Sequence, residues 1–218
     1  TISGPTSFNT NNRKHSTGIL HNGAGTIKIE NPGSTVDNYV TGEKNNGILV
    51  NNGGKLVIGK NDANYANDTT YHIGTSGTTT TESNGIRVSQ GEAQVNSINF
   101  IIGEHSGSSD FDTKNNGIFV DGTSSKLEVN DSNFDIKSYK NNGVVIDGTG
   151  ATDNNKISRS NFKIYNDYND NIPAQYHNAE KTGLLLKGAV GGNYGHSISN
   201  YAGTGTEYNN NTFDIEGP

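Results

Sequence analysis

The sequence contains no cysteine, methionine or tryptophan, and only 29% of its 218 residues are hydrophobic. The lack of cysteine excludes disulfides, thiol catalysis and zinc sites built from cysteine. No apolar run approaches the roughly 20 residues that a membrane-spanning helix needs, so we expect no membrane insertion by this chain. The net charge of −6, without a Lys/Arg-rich stripe, argues against binding to nucleic acid.

One short phrase, a glycine followed by alternating aliphatic residues, occurs six times along the chain. Successive glycines lie 26 to 40 residues apart, which is typical of one solenoid coil with insertions of variable length. A chain with few hydrophobic residues still folds as a solenoid, because each coil contributes to a thin shared core. The copies are Thr17–His21, Asn46–Val50, Asn84–Val88, Asn116–Val120, Asn142–Ile146 and Thr182–Leu186.

Each copy of the phrase begins a predicted unit of three strands. Side chains alternate along a strand, so aliphatic residues separated by one position share a face. We expect inward-facing pairs in the first strands at Ile48/Val50, Ile86/Val88, Ile118/Val120 and Val144/Ile146. The second strands carry Ile27/Ile29, Leu56/Ile58, Ala93/Val95 and Leu127/Val129, with Ile157 and Ile198 as weaker counterparts. The third strands carry an aromatic residue before an aliphatic one, at Phe100, Phe134, Phe162, Phe213 and Tyr71, with Phe8 or Tyr39 as further candidates.

This pattern predicts an all-β fold, a single-stranded parallel β-helix of about six to seven three-strand coils. Unequal strands and irregular insertions favour the right-handed type. We interpret residues 1–218 as one solenoid domain, a segment of a longer chain, interrupted chiefly by insertions at 165–182 and 188–210. Pairs such as Asn115-Asn116 and Asn141-Asn142 recur at equivalent corners. They form side-chain ladders, as stacked asparagines do, or they accommodate the turn geometry.

The two late insertions are rich in tyrosine and are the main candidate for a ligand-binding site. Insertions in solenoids concentrate on one face and often bind partners. Tyrosine offers a flat apolar ring and a hydroxyl at low entropic cost, which suits contact with protein or sugar. The alternative is that these rings pack the loops onto the rod. The candidate residues are Tyr165, Tyr168, Tyr176, His177, Tyr194, His196, Tyr201 and Tyr208.

A second candidate is an outward apolar stripe formed by the middle residue of each first strand. Only Arg87 is polar at this position. A continuous apolar stripe is unusual on the surface of a monomer and indicates a docking surface, unless the chain's own insertions cover it. The stripe comprises Leu20, Leu49, Phe119, Val145 and Leu185.

Metal and catalytic motifs are weak, and we predict no metal, no cofactor and no enzyme activity. The segment 167–171 alternates oxygen ligands as calcium loops do, but lacks the glycine and glutamate of that motif. Paired carboxylates would be needed for sugar hydrolysis. Asp110 and Asp112 flank one loop residue, whereas Asp135 and Asp214 are expected to lie far apart in coil number. The segment 195–197 is similar only loosely to the Gly-His-Gly of polygalacturonases.

The repeated Asn-Asn-Gly-Ile-x-Val-(Asn/Asp)-Gly, with Lys-Leu-x-Val and Asn-Phe-x-Ile, resembles the β-helical passenger domains of Gram-negative autotransporter adhesins. The resemblance covers nearly the whole chain and brings no catalytic residue with it. It implies an extracellular rod on the bacterial surface that binds a protein or glycan receptor on host or partner cells. A structural, self-associating stalk segment is the alternative. A polysaccharide-degrading β-helix or phage tailspike is a third hypothesis.

Overall fold

The computed structural model describes residues 1–4, 6–10, 13–30, 35–40, 42–60, 69–74, 82–103, 115–122, 124–137, 141–147, 155–164, 182–187, 207–209 and 211–215. These residues form 21 strands, numbered β1 to β21 in chain order, and no helix. Three parallel sheets contain all but two of the strands. The short strands β2 (Arg13–Lys14) and β6 (Gly42–Glu43) pair with each other.

The first-strand sheet collects the six copies of the repeated phrase in chain order. Each strand pairs in parallel with the next copy, so that Ile48, Ile86 and Ile118 are direct neighbours. Identical residues therefore stack along the molecule. The strands are β3 (Thr17–Asn22), β7 (Asn46–Asn51), β10 (Asn84–Ser89), β13 (Asn116–Asp121), β16 (Asn142–Asp147) and β19 (Thr182–Lys187).

The second-strand sheet has seven strands and also runs in chain order. It includes all four of the predicted aliphatic pairs, and Ile157 occupies the equivalent position one strand later. The strands are β1 (Ile2–Ser3), β4 (Gly25–Glu30), β8 (Gly54–Ile58), β11 (Glu92–Asn96), β14 (Lys126–Asn130), β17 (Lys156–Ser158) and β20 (Glu207–Asn209).

The third-strand sheet stacks the aromatic–aliphatic motifs. Its six strands are again parallel and in register, which makes the molecule an all-β parallel β-solenoid, as predicted. The strands are β5 (Val36–Val40), β9 (Thr69–Ile73), β12 (Ile98–Ile102), β15 (Asn133–Ile136), β18 (Asn161–Ile164) and β21 (Thr212–Ile215).

The core lies between the three sheets and contains the residues that the alternation predicts. All eight aliphatic residues of the four central first-strand pairs have no solvent exposure. Of the second-strand pairs, Leu56/Ile58 and Leu127/Val129 are likewise buried, whereas Ile27 is only half-buried. The inward set is therefore confirmed along most of the stack, and burial falls off toward its N-terminal end.

A column of aromatic rings forms one wall of the core. The rings of Phe100 and Phe134 stack with centroids 4.8 Å apart, and those of Phe134 and Phe162 at 4.6 Å. Tyr71 continues the column at 5.5 Å from Phe100, and Phe8 meets Tyr71 edge-on at 5.6 Å. Such contacts add about 0.5–1.5 kcal/mol per pair to the effect of burial. Phe8 is thus confirmed as a member of the aromatic column.

Tyr39, the other candidate for that column, was wrongly predicted. The pairing of β5 with β9 places Asn38, not Tyr39, beside Tyr71. Asn38 is buried and accepts a hydrogen bond from the backbone N–H of Phe8 through its Oδ1 at 3.0 Å. Tyr39 lies one position further along the strand, and alternation turns it to the outer face, where it is 37% exposed.

The asparagines at the corners form hydrogen-bonded ladders. Asn84 donates from Nδ2 to Asn46 Oδ1 at 3.0 Å, Asn116 to Asn84 at 2.8 Å, and Asn142 to Asn116 at 2.9 Å. Asn46, Asn84 and Asn116 are buried, so each amide depends on its neighbours in the stack for partners. The ladder interpretation of the Asn pairs is confirmed.

The repeated glycine allows the coils to approach closely. A Cβ added at Gly85 would lie 2.6 Å from the carbonyl oxygen of Gly117 and 2.7 Å from Ile73 Cδ1. Equivalent contacts of 2.5 to 2.8 Å with the next glycine carbonyl recur at Gly18, Gly47, Gly117 and Gly143. Real Cβ atoms do not approach other heavy atoms this closely, so these positions exclude every residue except glycine.

We therefore expect Gly85→Ala to destabilise the fold by about 3 kcal/mol, because the methyl group overpacks backbone that cannot move aside. Gly53→Ala is the matched control. A Cβ at Gly53 meets nothing within 4 Å, and only the positive φ of 80° opposes the change, which costs about 1–2 kcal/mol. Urea unfolding followed by circular dichroism measures both, and equal losses would contradict the steric explanation.

Substitution of a buried asparagine in a ladder should also lower the free energy of unfolding more than substitution of an exposed one. Asn116→Ala leaves one acceptor and one donor of its neighbours unsatisfied, so we expect a loss of about 2–4 kcal/mol. Asn161→Ala removes a single exposed hydrogen bond, of 2.9 Å to Asn133, and should cost less than about 1 kcal/mol. If urea midpoints for the two variants coincide, the ladder does not contribute to stability as argued.

Alkaline pH provides a third test, at Tyr71. Burial raises the pKa of the Tyr71 hydroxyl far above its ordinary value. Burial favours the neutral phenol in the folded state. Its contribution to the free energy of unfolding is therefore complete below about pH 10. Above that pH the tyrosine of the unfolded chain ionises, and the contribution falls by at most ~1.4 kcal/mol per pH unit. Tyr71→Phe should flatten this decline in urea midpoints between about pH 9 and 11.5. An unchanged slope would contradict the assignment.

Candidate functional site

The predicted apolar stripe forms a single column on the outer face of the first-strand sheet. Strand pairing brings Leu20 beside Leu49, both Leu49 and Phe119 beside Arg87, and Val145 between Phe119 and Leu185. The column therefore runs across all six strands in the order that the sequence predicts.

Solvent exposure changes along this column, so its outward apolar surface is not continuous. Leu20 is 57% exposed, Leu49, Phe119 and Leu185 are half-buried, and Val145 is only 2% exposed. Alternation places Val145 on the outer side of its strand, but the face is covered at that point. The stripe is therefore interrupted at Val145, and its longest accessible stretch runs from Leu20 to Phe119.

Arg87 gives the middle of the stripe a polar, directional group. Its Nη2 donates to Asp121 Oδ2 at 2.6 Å, and its guanidinium carbon lies 5.7 Å from the centroid of the Phe119 ring. Arg87 Nε and Asp121 Oδ1 are buried atoms without a hydrogen-bond partner in the structure. A guanidinium held over an aromatic ring and paired with one carboxylate forms a surface of defined geometry that is apolar and cationic.

The outer face of the second-strand sheet is charged instead, with signs that alternate from strand to strand. Lys55 Nζ lies 3.3 Å from Glu92 Oε2, and Lys126 is the next neighbour of Glu92 in the stack. In the adjacent column Lys156 lies between Glu128 and Glu207. Exposed pairs of this kind add less than about 1 kcal/mol each, so they contribute little to the stability of the fold.

The third-strand sheet carries an aromatic and histidine cluster that the sequence analysis missed. The rings of Tyr39 and His72 stack at 4.8 Å with an interplanar angle of 11°, and His72 Nε2 lies 3.4 Å from Asp37 Oδ1. Tyr39 and His72 are far apart in sequence, so only the strand register reveals the cluster. Such a platform suits stacking against a flat apolar surface.

Next to this cluster runs a ladder of outward asparagines. Asn133 donates to Asn99 and Asn161 donates to Asn133, each from Nδ2 to Oδ1 at 2.9 Å. The repeated Asn-Phe-x-Ile pattern contains these asparagines, but the sequence analysis did not predict their hydrogen bonds. The outer face of this sheet therefore offers amides beside an aromatic platform.

The tyrosine-rich candidates are mostly beyond what the structure describes. Seven of the eight predicted ligand-binding residues, and Ile198, lie outside the described residues. Tyr208 lies in β20, where it pairs with Ile157, and not in a loop. Strand β20 thereby occupies the position for which Ile198 was the candidate. The seven residues are Tyr165, Tyr168, Tyr176, His177, Tyr194, His196 and Tyr201.

The catalytic candidates are distributed differently from the prediction. Asp135 and Asp214 are separated by one strand, with Lys163 between them in the same outer column, rather than lying far apart in coil number. Asp135 is half-buried, and its Oδ1 has no hydrogen-bond partner in the structure. Asp110, Asp112 and the segments 167–171 and 195–197 lie outside the described residues.

The part of the chain that the structure describes contains neither a metal-binding cluster nor a membrane-spanning helix. In that part of the chain, no group of three or more His, Asp or Glu side chains is placed to hold a metal ion. Over the same residues, no helix is long and apolar enough to cross a membrane.

Comparison of the chain with protein-family models, with curated proteins and with solved structures gives no match. The placement of its side chains is therefore the basis for any functional argument.

Proposed function

We propose that this chain is the rod of a bacterial surface adhesin, similar to an autotransporter passenger, and that it binds a receptor on host or partner cells. The receptor is a protein or a glycan. Binding is assigned to the tyrosine-rich insertions at 165–182 and 188–210, and the chain acts outside the cell without a cofactor and without catalysis.

The observation that supports this proposal most directly is the position of the two insertions in the stack. Residues 165–181 connect β18 to β19, and residues 188–206 connect β19 to β20. The first tyrosine-rich stretch therefore ends where β19 begins, and the second begins where β19 ends. Binding segments that flank a strand of the scaffold are a usual arrangement.

The sequence adds one supporting argument. A chain without cysteine crosses an outer membrane unfolded and then folds one coil after another outside, since each repeat contacts mainly its neighbours. We further propose six to seven right-handed coils of three strands each. The three sheets, with seven, six and six strands in chain order, support this finer architecture.

A second candidate function is a stalk segment that associates side by side with another copy. The half-exposed stretch of Leu20, Leu49 and Phe119, with Arg87 among them, favours it. Such a stripe on neighbouring rods would be buried on association.

A glycan array with trimmed variants tests the main proposal. We expect the wild-type chain to bind defined glycans and a variant with 166–180 and 189–205 replaced by short Gly/Ser linkers to lose at least tenfold in affinity. These limits preserve β18, β19 and β20. The matched control trims 104–114, an insertion without tyrosine, and should bind as wild type.

The outcomes separate the two candidate functions. Binding that survives the double trimming while both variants remain folded by circular dichroism would refute the insertion site. If no glycan binds, a pull-down from host-cell membranes tests protein receptors by the same comparison. Concentration-dependent dimers in sedimentation, lost in Phe119→Ser, would favour the stalk.

A further inference from the structure

The outer face of the third-strand sheet differs chemically from the outer faces of the other two sheets. The first-strand sheet carries an apolar column around Arg87, and the second-strand sheet carries alternating lysine and glutamate. The third-strand sheet carries one outward column of amides and hydroxyls beside a second column of mixed character. From β9 to β21 the first column contains Thr70, Asn99, Asn133, Asn161 and Thr212, and the second contains His72, Ile101, Asp135, Lys163 and Asp214.

The asparagines of the first column retain hydrogen-bonding capacity. A primary amide has two N–H donors and an oxygen with two lone pairs. The ladder uses one of each at Asn133, which donates to Asn99 and accepts from Asn161. One N–H and one lone pair of Asn133 therefore remain for a ligand. Successive coils are about 4.8 Å apart, so such amides recur at a spacing comparable with the length of one sugar ring.

The stability of the fold does not explain why asparagine occupies these outward positions. Asparagine is depleted in β-strands, yet it stands on three neighbouring strands, β12, β15 and β18. The corner ladder of Asn84 and Asn116 is buried, so its amides need each other as partners. Asn161 is exposed, and water would satisfy its amide equally well. Departures from local preference without a structural need are expected at functional sites.

Asp135 lies beside this ladder with an unsatisfied oxygen atom. It is two residues after Asn133 on the same face of β15, and its Oδ1 is a buried atom without a hydrogen-bond partner. Such an acceptor destabilises the fold. The side chain is half-buried, so rotation about its Cβ–Cγ bond would bring that oxygen to the surface. A carboxylate accepts several hydrogen bonds, and adjacent hydroxyls of a sugar ring supply two donors together.

We propose that the outer face of β12, β15 and β18 binds one uncharged, linear glycan that lies along the stack. The amides of Asn133 and Asn161 and the carboxylate of Asp135 would hydrogen-bond to its hydroxyls. Ile101 and the stacked rings of Tyr39 and His72 continue the column of Asp135, and would contact the apolar C–H groups of the sugar rings. The site includes no residue of the two insertions and does not depend on the function proposed above.

The charges on this face argue against an acidic glycan. The outward columns of the described strands contain three carboxylates, at Asp37, Asp135 and Asp214. Lys163 lies between Asp135 and Asp214 in the stack, and His72 Nε2 lies 3.4 Å from Asp37 Oδ1. A sulfate or carboxylate group would need Arg or Lys side chains that are not already beside acids. A chain of neutral hexoses or N-acetylhexosamines fits this face.

A protein partner fits the same face less well. The centre of a protein–protein interface is apolar and depleted in charged residues. The centre of this face consists instead of Asn133, Asp135 and Lys163. The occupant that these groups favour is therefore a glycan.

Isothermal titration calorimetry with the full chain tests the proposal, with cellohexaose and chitohexaose as neutral probes and a hexamer of galacturonic acid as the acidic control. We expect at least one neutral hexamer to bind one-to-one. The corresponding dimer should bind at least tenfold more weakly, because it cannot reach the amides of all three strands. No binding of either neutral hexamer, or tighter binding of the acidic one, would overturn the proposal.

Asp135→Ala separates binding from stability. Loss of the carboxylate should weaken binding of the neutral hexamer at least tenfold. The urea midpoint should not fall, because the substitution also removes a buried acceptor without a partner. Glu92→Ala is the matched control, since it removes an outward carboxylate from the second-strand sheet, and it should bind as wild type. Unchanged binding in Asp135→Ala, or equal losses in the two variants, would refute the site.

Nuclear magnetic resonance of the side-chain amides locates the ligand on the wild-type chain. Bound hexamer should shift the amide signals of Asn133 and Asn161, whereas those of Asn84 and Asn116 in the buried ladder should stay unchanged. The reverse pattern would overturn the assignment. The variant trimmed at 166–180 and 189–205 should show the same shifts. Their loss there would also overturn this site, whereas failure of the insertions to bind a receptor would leave it standing.

Discussion

The close approach of successive glycines at the start of each first strand is the constraint on which this solenoid depends. Each glycine lies against the carbonyl of the next and against the wall of aromatic and isoleucine side chains, with no space for a Cβ between them. This contact holds the coils at the spacing at which Phe100, Phe134 and Phe162 stack face to face. A larger residue would separate the backbone there and break the register of the ring column beside it. The glycine of the repeated phrase is therefore required by the close packing of successive coils.

A chain with so few hydrophobic residues is stable because neighbouring coils satisfy each other's polar groups. The buried asparagine ladder is one example, and serines provide another: Ser132 N–H donates to Ser160 Oγ, and Ile98 N–H donates to Ser132 Oγ, both at 3.3 Å. Buried polar groups cost about 1–3 kcal/mol when unpaired. Interior coils avoid this cost on both sides, whereas an end coil avoids it on one side only.

The sequence predicted the inward residues well and the outward ones poorly, for a physical reason. Inward positions repeat, since each must match the residue stacked on it, and so Ile86 and Val88 could be recognised by comparison with their copies. The failures occur where the repeat is irregular. Asn38 replaces the expected ring, so Tyr39 was assigned to the wrong face. The repeat also predicted neither the burial of Val145 nor the position of Tyr208 in a strand. The left-handed corners at Ser97, Asp131 and Arg159 carry no glycine that would have marked them.

The difference between inward and outward positions also indicates which residues are available for a function beyond folding. In the inner columns each residue is determined by its neighbours, so those residues carry information about the fold alone. In the outer columns adjacent strands differ: Leu49 is followed by Arg87 and Phe119. Stacking does not require this variation, because outward side chains need only avoid like-charge contacts. Residues that vary where the fold permits any choice are those available for binding, and they are the outer faces and the segments between strands.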